Sequence, residues 1–376
     1  MFAASKTGAP ASPPVYVEDV FSTYLYTGTG AAQTITNGID LSTKGGLVWV
    51  KGRTSAWENK LTDTVRGATK ALISNTADAE TTDSNGLTSF STTGFVLGSD
   101  TNYNWSGGGN YVSWAFREQP KFFDIVTYTG NGANRTISHN LGSVPGCIIV
   151  KSLDTGGRWS VYHRSLGNTK YVQLNSTNAE DFVPNFWNST DPTSTVFSIG
   201  TNNLVNLNGD NYIAYLFAHD AGGFGLTGTD NVISCGSYTT NGSGVITSPV
   251  NLGYEPQWIL SKRVDSTGNW RMLDVMRGDG SADGNISNQY YLYSNLSNAE
   301  SGPTYGEPAP TATGFTVTAS TANSTYIYIA IRRGPMKVPT LGTSVFSPLT
   351  RTGTGTTAIA TYGFASDLVI PVNRPH

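Results

Sequence analysis

Three glutamates are the first residues in this chain whose type and spacing could support acid–base chemistry. Glu80, Glu180 and Glu300 each end a short polar element, spelled NTADAE, NSTNAE and NLSNAE. General acid–base catalysis needs two ionisable groups in different environments, so that their pKa values diverge. A single glutamate that recurs once per segment instead favours a structural turn, in which Asn and Glu side chains bond nearby backbone groups.

A second recurring motif is Asp-x-x-Arg-Gly. It occurs as Asp63 with Arg66 and as Asp274 with Arg277. The motif predicts a cross-strand ion pair beside a hairpin turn. The middle copy has His163 and Leu166 at these positions, which argues against an essential chemical role.

Lysines and tryptophans recur in the same order. Apolar runs end in Lys51, Lys151 and Lys262, and a tryptophan follows each run at Trp57, Trp159 or Trp270. An aromatic face on a loop could stack on the C–H groups of a sugar ring. Alternatively, each tryptophan packs on the core or on a neighbouring domain.

No catalytic, metal or cofactor site is predicted. The four histidines at 139, 163, 219 and 376 lack partners in ligand-like spacing. Asp279 and Asp283 could coordinate Ca²⁺, but their spacing differs from that of an EF-hand loop. Cys147 and Cys235 fall in different segments and are interpreted as buried free thiols.

Composition indicates an all-β protein. Charged residues make up 13% of the 376 positions, against roughly 25% in typical proteins. Gly, Thr, Ser and Asn supply turns, while 19 Tyr, 15 Phe and 8 Trp suit pleated sheets. The net charge of −3 and the lack of basic clusters speak against nucleic acid binding, and no apolar run is long enough for membrane insertion.

The motifs are positioned by three repeats of roughly 100 residues, each with six or seven short strands between turn signals. We expect three tandem β-sandwiches, resembling jelly rolls, in a row. Within each one, segments such as TDTVRGATKALISN are predicted to form a hairpin rather than a helix. The predicted ranges are an N-terminal arm at 1–17, repeats at 18–120, 121–226 and 227–336, and the start of a truncated fourth repeat at 345–376.

The motifs follow one order along the repeats: YTGNG, an apolar strand that ends in Lys, D-x-x-RG, the Ala-Glu element and a final strand of the YVSWAF type. This ordered set resembles the tandem modules in virion proteins of marine tailed bacteriophages, particularly cyanophages. The resemblance covers about 18–376 and implies a virion location and a homo-oligomer, often a trimer in fibres.

Several functions follow as expectations. The leading one is a structural tail fibre or tail appendage protein that takes part in host attachment. In that role the arm and first repeat would anchor it to other virion proteins, and the later repeats would reach outward. The alternatives are a protein that binds or depolymerises host-surface polysaccharide, and a capsid decoration or head-fibre protein.

Overall fold

The computed structural model describes residues 13–278, 289–304, 308–318 and 320–337. These residues form an all-β structure in which the paired strands are antiparallel. The described residues up to Pro335 belong to one compact unit. Asp279, Asp283 and the predicted start of a fourth repeat at 345–376 lie outside the described residues.

The first repeat begins after a 3₁₀ turn at Val17–Asp19 and contains one short helix, α1, at Thr101–Asn104. Its strands are β1 Phe21–Thr27, β2 Gln33–Thr36, β3 Gly46–Gly52, β4 Lys60–Asp63, β5 Lys70–Ile73, β6 Thr81–Thr82, β7 Leu87–Ser91, β8 Gly94–Leu97 and β9 Asn110–Arg117. They form a six-stranded sheet, β1-β9-β3-β4-β5-β6, and a three-stranded sheet, β2-β8-β7.

The second repeat has the same strand order in its large sheet, one strand fewer in its small sheet, and one short helix, α2, at Asn203–Asn206. Its strands are β10 Phe123–Thr129, β11 Arg135–Ser138, β12 Pro145–Ser152, β13 Ser160–His163, β14 Lys170–Gln173, β15 Asp181–Phe182, β16 Val196–Ile199 and β17 Asn211–Ala218. The sheets are β10-β17-β12-β13-β14-β15 and β11-β16.

The third repeat repeats this plan with a 3₁₀ turn at Val275–Arg277. Its strands are β18 Ile233–Thr239, β19 Val250–Asn251, β20 Pro256–Arg263, β21 Trp270–Asp274, β22 Gln289–Tyr293, β23 Ser301–Thr304, β24 Ala309–Thr311, β25 Gly314–Thr316 and β26 Thr325–Arg332. The sheets are β18-β26-β20-β21-β22-β23 and β19-β25-β24.

The third strand in the order of each large sheet is buried on both faces, as β3 illustrates. Successive side chains of a strand point to opposite faces. Val48 and Val50 pack in the core between the two sheets of the first repeat. Trp49 points the other way and packs edge-on against Trp114 of β9. This second buried face explains why LVWVK is continuously apolar up to its lysine.

The outer faces of the large sheets meet in an aromatic cluster shared by all three repeats. Phe116 lies at its centre, with its ring centroid 5.7 Å from that of Phe217 in the second repeat and 5.5 Å from that of Trp258 in the third. Such aromatic contacts stabilise beyond the area they bury. The repeats therefore do not stand in a row, as the sequence suggested, but surround a common core.

Other local expectations are confirmed. The segment after Asp63 forms a turn between β4 and β5, which are paired as a hairpin, and β13 pairs with β14 in the same way. Cys147 and Cys235 are buried free thiols.

The last part of the predicted arm contacts its own chain. The carbonyl oxygen of Val15 accepts a hydrogen bond from the backbone of Gly225, in the segment between the second and third repeats, at 2.9 Å. Val17 is fully buried. The described end of the predicted arm therefore docks onto its own chain.

Candidate functional site

The Ala-Glu elements join each repeat to the next. In all three, the glutamate backbone N–H donates to a carbonyl in the loop that follows the buried lysine strand of the neighbouring repeat. These bonds run from Glu80 to Leu153 at 2.9 Å, from Glu180 to Val264 at 2.8 Å and from Glu300 to Arg53 at 2.8 Å. Because the third bond returns to the first repeat, the repeats form a closed ring.

The glutamate side chains form ion pairs close to these junctions. The Glu300 carboxylate contacts Arg53 at 2.8 Å and Arg277 at 3.0 Å. Glu80 lies 3.4 Å from both Arg66 and Lys70. Glu180 pairs with Lys170. Each glutamate directly precedes a short outer strand rather than lying in a turn, and its main polar partners are cations and a neighbouring backbone.

The three repeat lysines are fully buried at the same junctions. Each ammonium group donates to a carbonyl in the Ala-Glu element of the preceding repeat, and to carbonyls in its own loop. The cross-repeat bonds run from Lys51 to Ser297 at 2.7 Å, from Lys151 to Ala77 at 3.4 Å and from Lys262 to Thr177 at 3.2 Å.

Burial lowers the pKa of these lysines, because it disfavours the charged form. The pKa falls to about 7 for Lys51 and to about 8 for Lys151 and Lys262. Burying a lysine is costly in free energy, and the hydrogen bonds to carbonyl oxygens offset part of that cost. Their position therefore ties the protonation of the protein to the contacts between repeats.

Two of the three tryptophans proposed to stack on sugars are buried in the junctions. The indole Nε1–H of Trp159 donates to the carbonyl of Ile73 at 3.1 Å, and that of Trp270 donates to the carbonyl of Gln173 at 2.7 Å. Trp159 is 0% and Trp270 2% exposed. Neither has a face open to a sugar, so these two positions follow the alternative of interface packing.

Trp57 is not the equivalent of Trp159 and Trp270. The residue directly before β4 is Asn59, and it takes the tryptophan's place in the first repeat. Its side-chain Nδ2 donates across the junction to the carbonyls of Tyr293 at 3.1 Å and Leu296 at 2.9 Å. Trp57 lies two residues earlier, so matching the repeats by residue type placed it wrongly.

The signal that identifies the true equivalents is the first asparagine of the Ala-Glu element. Its side-chain oxygen accepts the backbone N–H of the residue directly before the short strand in the first two repeats and of the first strand residue in the third. The bonds run from Asn59 to Asn75 at 2.9 Å, from Trp159 to Asn175 at 3.1 Å and from Trp270 to Asn295 at 2.9 Å.

The Asp-x-x-Arg pairs are not cross-strand. Asp63 and Arg66 pair within one turn at 2.5 Å, and Asp274 and Arg277 do so at 2.7 Å. These side chains are at most 3% exposed. The turn forms because the Asp63 carboxylate also accepts the backbone N–H of Arg66 at 2.9 Å, which places the guanidinium beside it.

The aspartates also bind the next repeat. Asp63 accepts a hydrogen bond from the Tyr215 hydroxyl of the second repeat at 2.8 Å, and Asp274 accepts one from the Trp114 indole of the first repeat at 3.1 Å. His163 of the second repeat lies 3.1 Å from the Tyr328 carbonyl of the third. The residue type changes, but the contact around the ring is retained.

His163 is neutral in this position. Its Nδ1 accepts the backbone N–H of Ser165 at 3.2 Å, so Nε2 carries the proton that it donates to Tyr328. Burial lowers the pKa of His163 to about 4. A neutral imidazole thus replaces the Asp–Arg pair without leaving a buried charge unpaired.

The first repeat carries a surface aromatic cluster, whose two tryptophans lie in loops. Trp57 stacks on Tyr111 with ring centroids 4.9 Å apart, and Trp105 lies 5.6 Å from Trp57. Trp105 is 41% exposed. The second repeat has Gly157 and Leu207 at the corresponding positions. We call Trp57 and Trp105 the tryptophan platform.

Comparison with known families agrees with one continuous unit of three repeats. The match to a family of unknown function extends over residues 17–335, which includes all three repeats. The chain belongs to the family described as domain of unknown function DUF7483. No curated protein matches the chain.

Among the described residues, no group of three or more His, Cys, Asp or Glu side chains is arranged to hold a metal ion. In the same part of the chain, no helix has the length and apolar character needed to span a membrane.

Proposed function

We propose that this protein is a structural component of a bacteriophage virion, as a tail fibre or tail appendage protein that takes part in host attachment. The observation that carries the proposal is the closed ring, in which the glutamate, lysine and aspartate positions of each repeat bond the next repeat. These ionisable residues, which a catalytic site would have to expose, are bonded to neighbouring repeats instead. The phage context comes from the resemblance of the repeat motifs.

The ring changes one part of the expected arrangement. An anchored first repeat with later repeats reaching outward does not fit three repeats that bond one another cyclically. We propose instead that the ring is presented as a unit, with residues before Val15 available to other virion proteins or to further copies of the chain.

The test is to locate the protein on purified particles. We expect mass spectrometry to detect it in virions, and antibody labelling in electron micrographs to mark the tail. Labelling of the head surface would instead establish the decoration or head-fibre alternative. Absence from washed virions would refute the structural role. Sedimentation analysis of the pure protein tests the proposed homo-oligomer separately.

A carbohydrate-binding role is a second candidate because of the tryptophan platform. Trp105 is substantially exposed, and exposed aromatic rings on loops are common contacts for binding. We expect binding to host envelope polysaccharide on a glycan array that is lost in Trp105→Ala. The matched control is Leu207→Ala in the second repeat. A reducing-sugar assay on the same polysaccharide distinguishes depolymerisation from binding.

A further inference from the structure

A cavity of about 240 Å³ opens beside the Ala-Glu element of the second repeat. It is lined by Arg158, Tyr171, Val172, Gln173, Asn178, Ala179, Glu180 and Asp181. Its volume is slightly below the roughly 300 Å³ at which pockets for drug-sized ligands begin. The cavity therefore has room for one small molecule or for one unit of a polymer.

One wall of the cavity is a chain of hydrogen-bonded polar groups that begins at the exposed Arg158 and continues to two buried residues, Gln173 and Tyr171. Tyr171 is 6% and Gln173 4% exposed. Arg158 Nη1 donates to Gln173 Oε1 at 2.8 Å, and Gln173 Nε2 donates to the Tyr171 hydroxyl oxygen at 3.0 Å. Within the described part of the chain, the Tyr171 hydroxyl hydrogen has no acceptor. Because Tyr171 lines the cavity, an oxygen atom of a ligand bound there could accept this hydrogen.

The lining also supplies hydrogen-bond acceptors. Glu180, Asp181 and Asn178 line the cavity together with Arg158, and their side chains carry carboxylate and amide acceptors. Lys170 pairs with Glu180, so the two acidic and two basic groups balance in formal charge. A charge-balanced site with both donors and acceptors suits a neutral ligand whose hydroxyl groups can donate and accept.

The polar wall is a property of the second repeat. Strand register places Ile73 of the first repeat and Tyr293 of the third at the position of Gln173. Arg158 is likewise replaced by Glu58 and Asn269. Packing between repeats, which all three share, does not require this particular set of side chains.

We propose that the cavity binds one neutral pyranose unit, a sugar ring with several hydroxyl groups. Sugar hydroxyls accept from Arg158 and Tyr171 and donate to Glu180 and Asp181. The inference names a ligand class for the attachment role and in that sense rests on the proposed function. The cavity is separate from the tryptophan platform, since it belongs to a different repeat.

The experiment is saturation-transfer NMR and calorimetry on the full chain with free glucose, galactose, mannose and N-acetylglucosamine. We expect at least one sugar to bind with a millimolar Kd, as befits a small ligand. Gln173→Ile, which installs the residue of the first repeat, should weaken binding by roughly tenfold or more. Tyr171→Phe should also weaken it while it keeps the ring stacked on Phe186, 4.1 Å away between centroids.

The matched control is Tyr291→Phe, which removes the same hydroxyl at the corresponding position of the third repeat. Its affinity should equal that of the unaltered protein. The proposal is overturned if none of the four sugars binds, if Gln173→Ile binds as well as the unaltered protein, or if Tyr291→Phe weakens binding as much as Tyr171→Phe.

Sugar binding by the pure protein is measured without virions, and location on the virion is measured without sugars. Virions that carry a protein unable to bind any of the sugars would remove the cavity inference alone. A sugar-binding protein absent from virions would remove the virion function and leave the site in place.

Discussion

The backbone N–H of Glu300 donates to the carbonyl oxygen of Arg53 at 2.8 Å, and this bond joins the third repeat to the first. The Arg53 guanidinium also donates hydrogen bonds to the Glu300 carboxylate, from Nε at 3.1 Å and from Nη2 at 2.8 Å. The two residues are 247 positions apart in the sequence. Bidentate pairs of this kind are among the stronger charged contacts. The junction that closes the ring is therefore held by both main chain and side chains.

Glu300→Ala should destabilise the protein by about 2–3 kcal/mol, because it leaves the fully buried Arg277 side chain without one of its carboxylates. The matched change is Glu180→Ala, whose partner Lys170 is 37% exposed. That variant should lose no more than about 1 kcal/mol. Urea unfolding of both variants measures the difference, and equal losses would contradict a special role for the closing junction.

Trp270→Phe should cost about 1–2 kcal/mol, because it removes the indole donor and leaves the buried Gln173 carbonyl without that partner. Trp57→Phe is the comparison, since Trp57 lies outside the junction position that Asn59 takes. We expect it to cost less than Trp270→Phe. Thermal or urea unfolding shows the ranking, and the reverse order would disprove the structural alignment of these residues.

Stability should rise between pH 7 and pH 9 because of the buried lysines. The folded protein releases the Lys51 proton near pH 7, whereas the unfolded chain keeps it until close to pH 10.5. The unfolded state therefore binds more protons in this window, and the free energy of unfolding increases with pH by at most about 1.4 kcal/mol per unit for this group.

Lys51→Met tests that assignment. The variant should show a flatter dependence of unfolding free energy on pH across the same window, whatever its absolute stability. Urea titrations at pH 7, 8 and 9 provide the slopes. An unchanged slope would show that Lys51 keeps an ordinary pKa in the folded protein.

His163 should make the protein lose stability in mild acid. Its folded pKa is about 4, below the ordinary value of 6.5, so the unfolded chain takes up a proton first as the pH falls. Stability present above pH 6.5 is then lost progressively towards pH 4. In His163→Asn this part of the loss should be absent, while the difference between variant and parent stays constant from pH 7 to pH 8.

The local fold could be predicted from the sequence because its signals are local. Turn residues and alternating strands indicated the sandwich class and the hairpin after Asp63. The junctions were not predictable in the same way, since bonds such as that from Glu180 to Val264 join backbone groups that carry no side-chain signature.

Two site interpretations failed for identifiable reasons. Trp57 was matched to Trp159 by residue type, although Asn59 holds the equivalent place and makes the same cross-repeat contact with an amide. Asp63 and Arg66 suggested a cross-strand pair, but three-residue spacing within a turn brings them together more directly. Trp105 has no counterpart in the second repeat, where Leu207 takes its place, so the repeat pattern does not mark it. The virion location and its partners stay predictions.

The cyclic junctions also bear on how such a chain could arise. Each repeat offers one surface to the repeat after it and another to the repeat before it, and Gly334 lies beside Val17 where the ring begins and ends. A polypeptide of a single repeat with these two surfaces would close as a threefold symmetric homotrimer. Fusing three copies makes that assembly intramolecular and independent of concentration, and it frees each copy to diverge. The Asp–Arg turn replaced by His163 and the polar cavity of the second repeat are differences that a symmetric ancestor could not have carried in one copy alone.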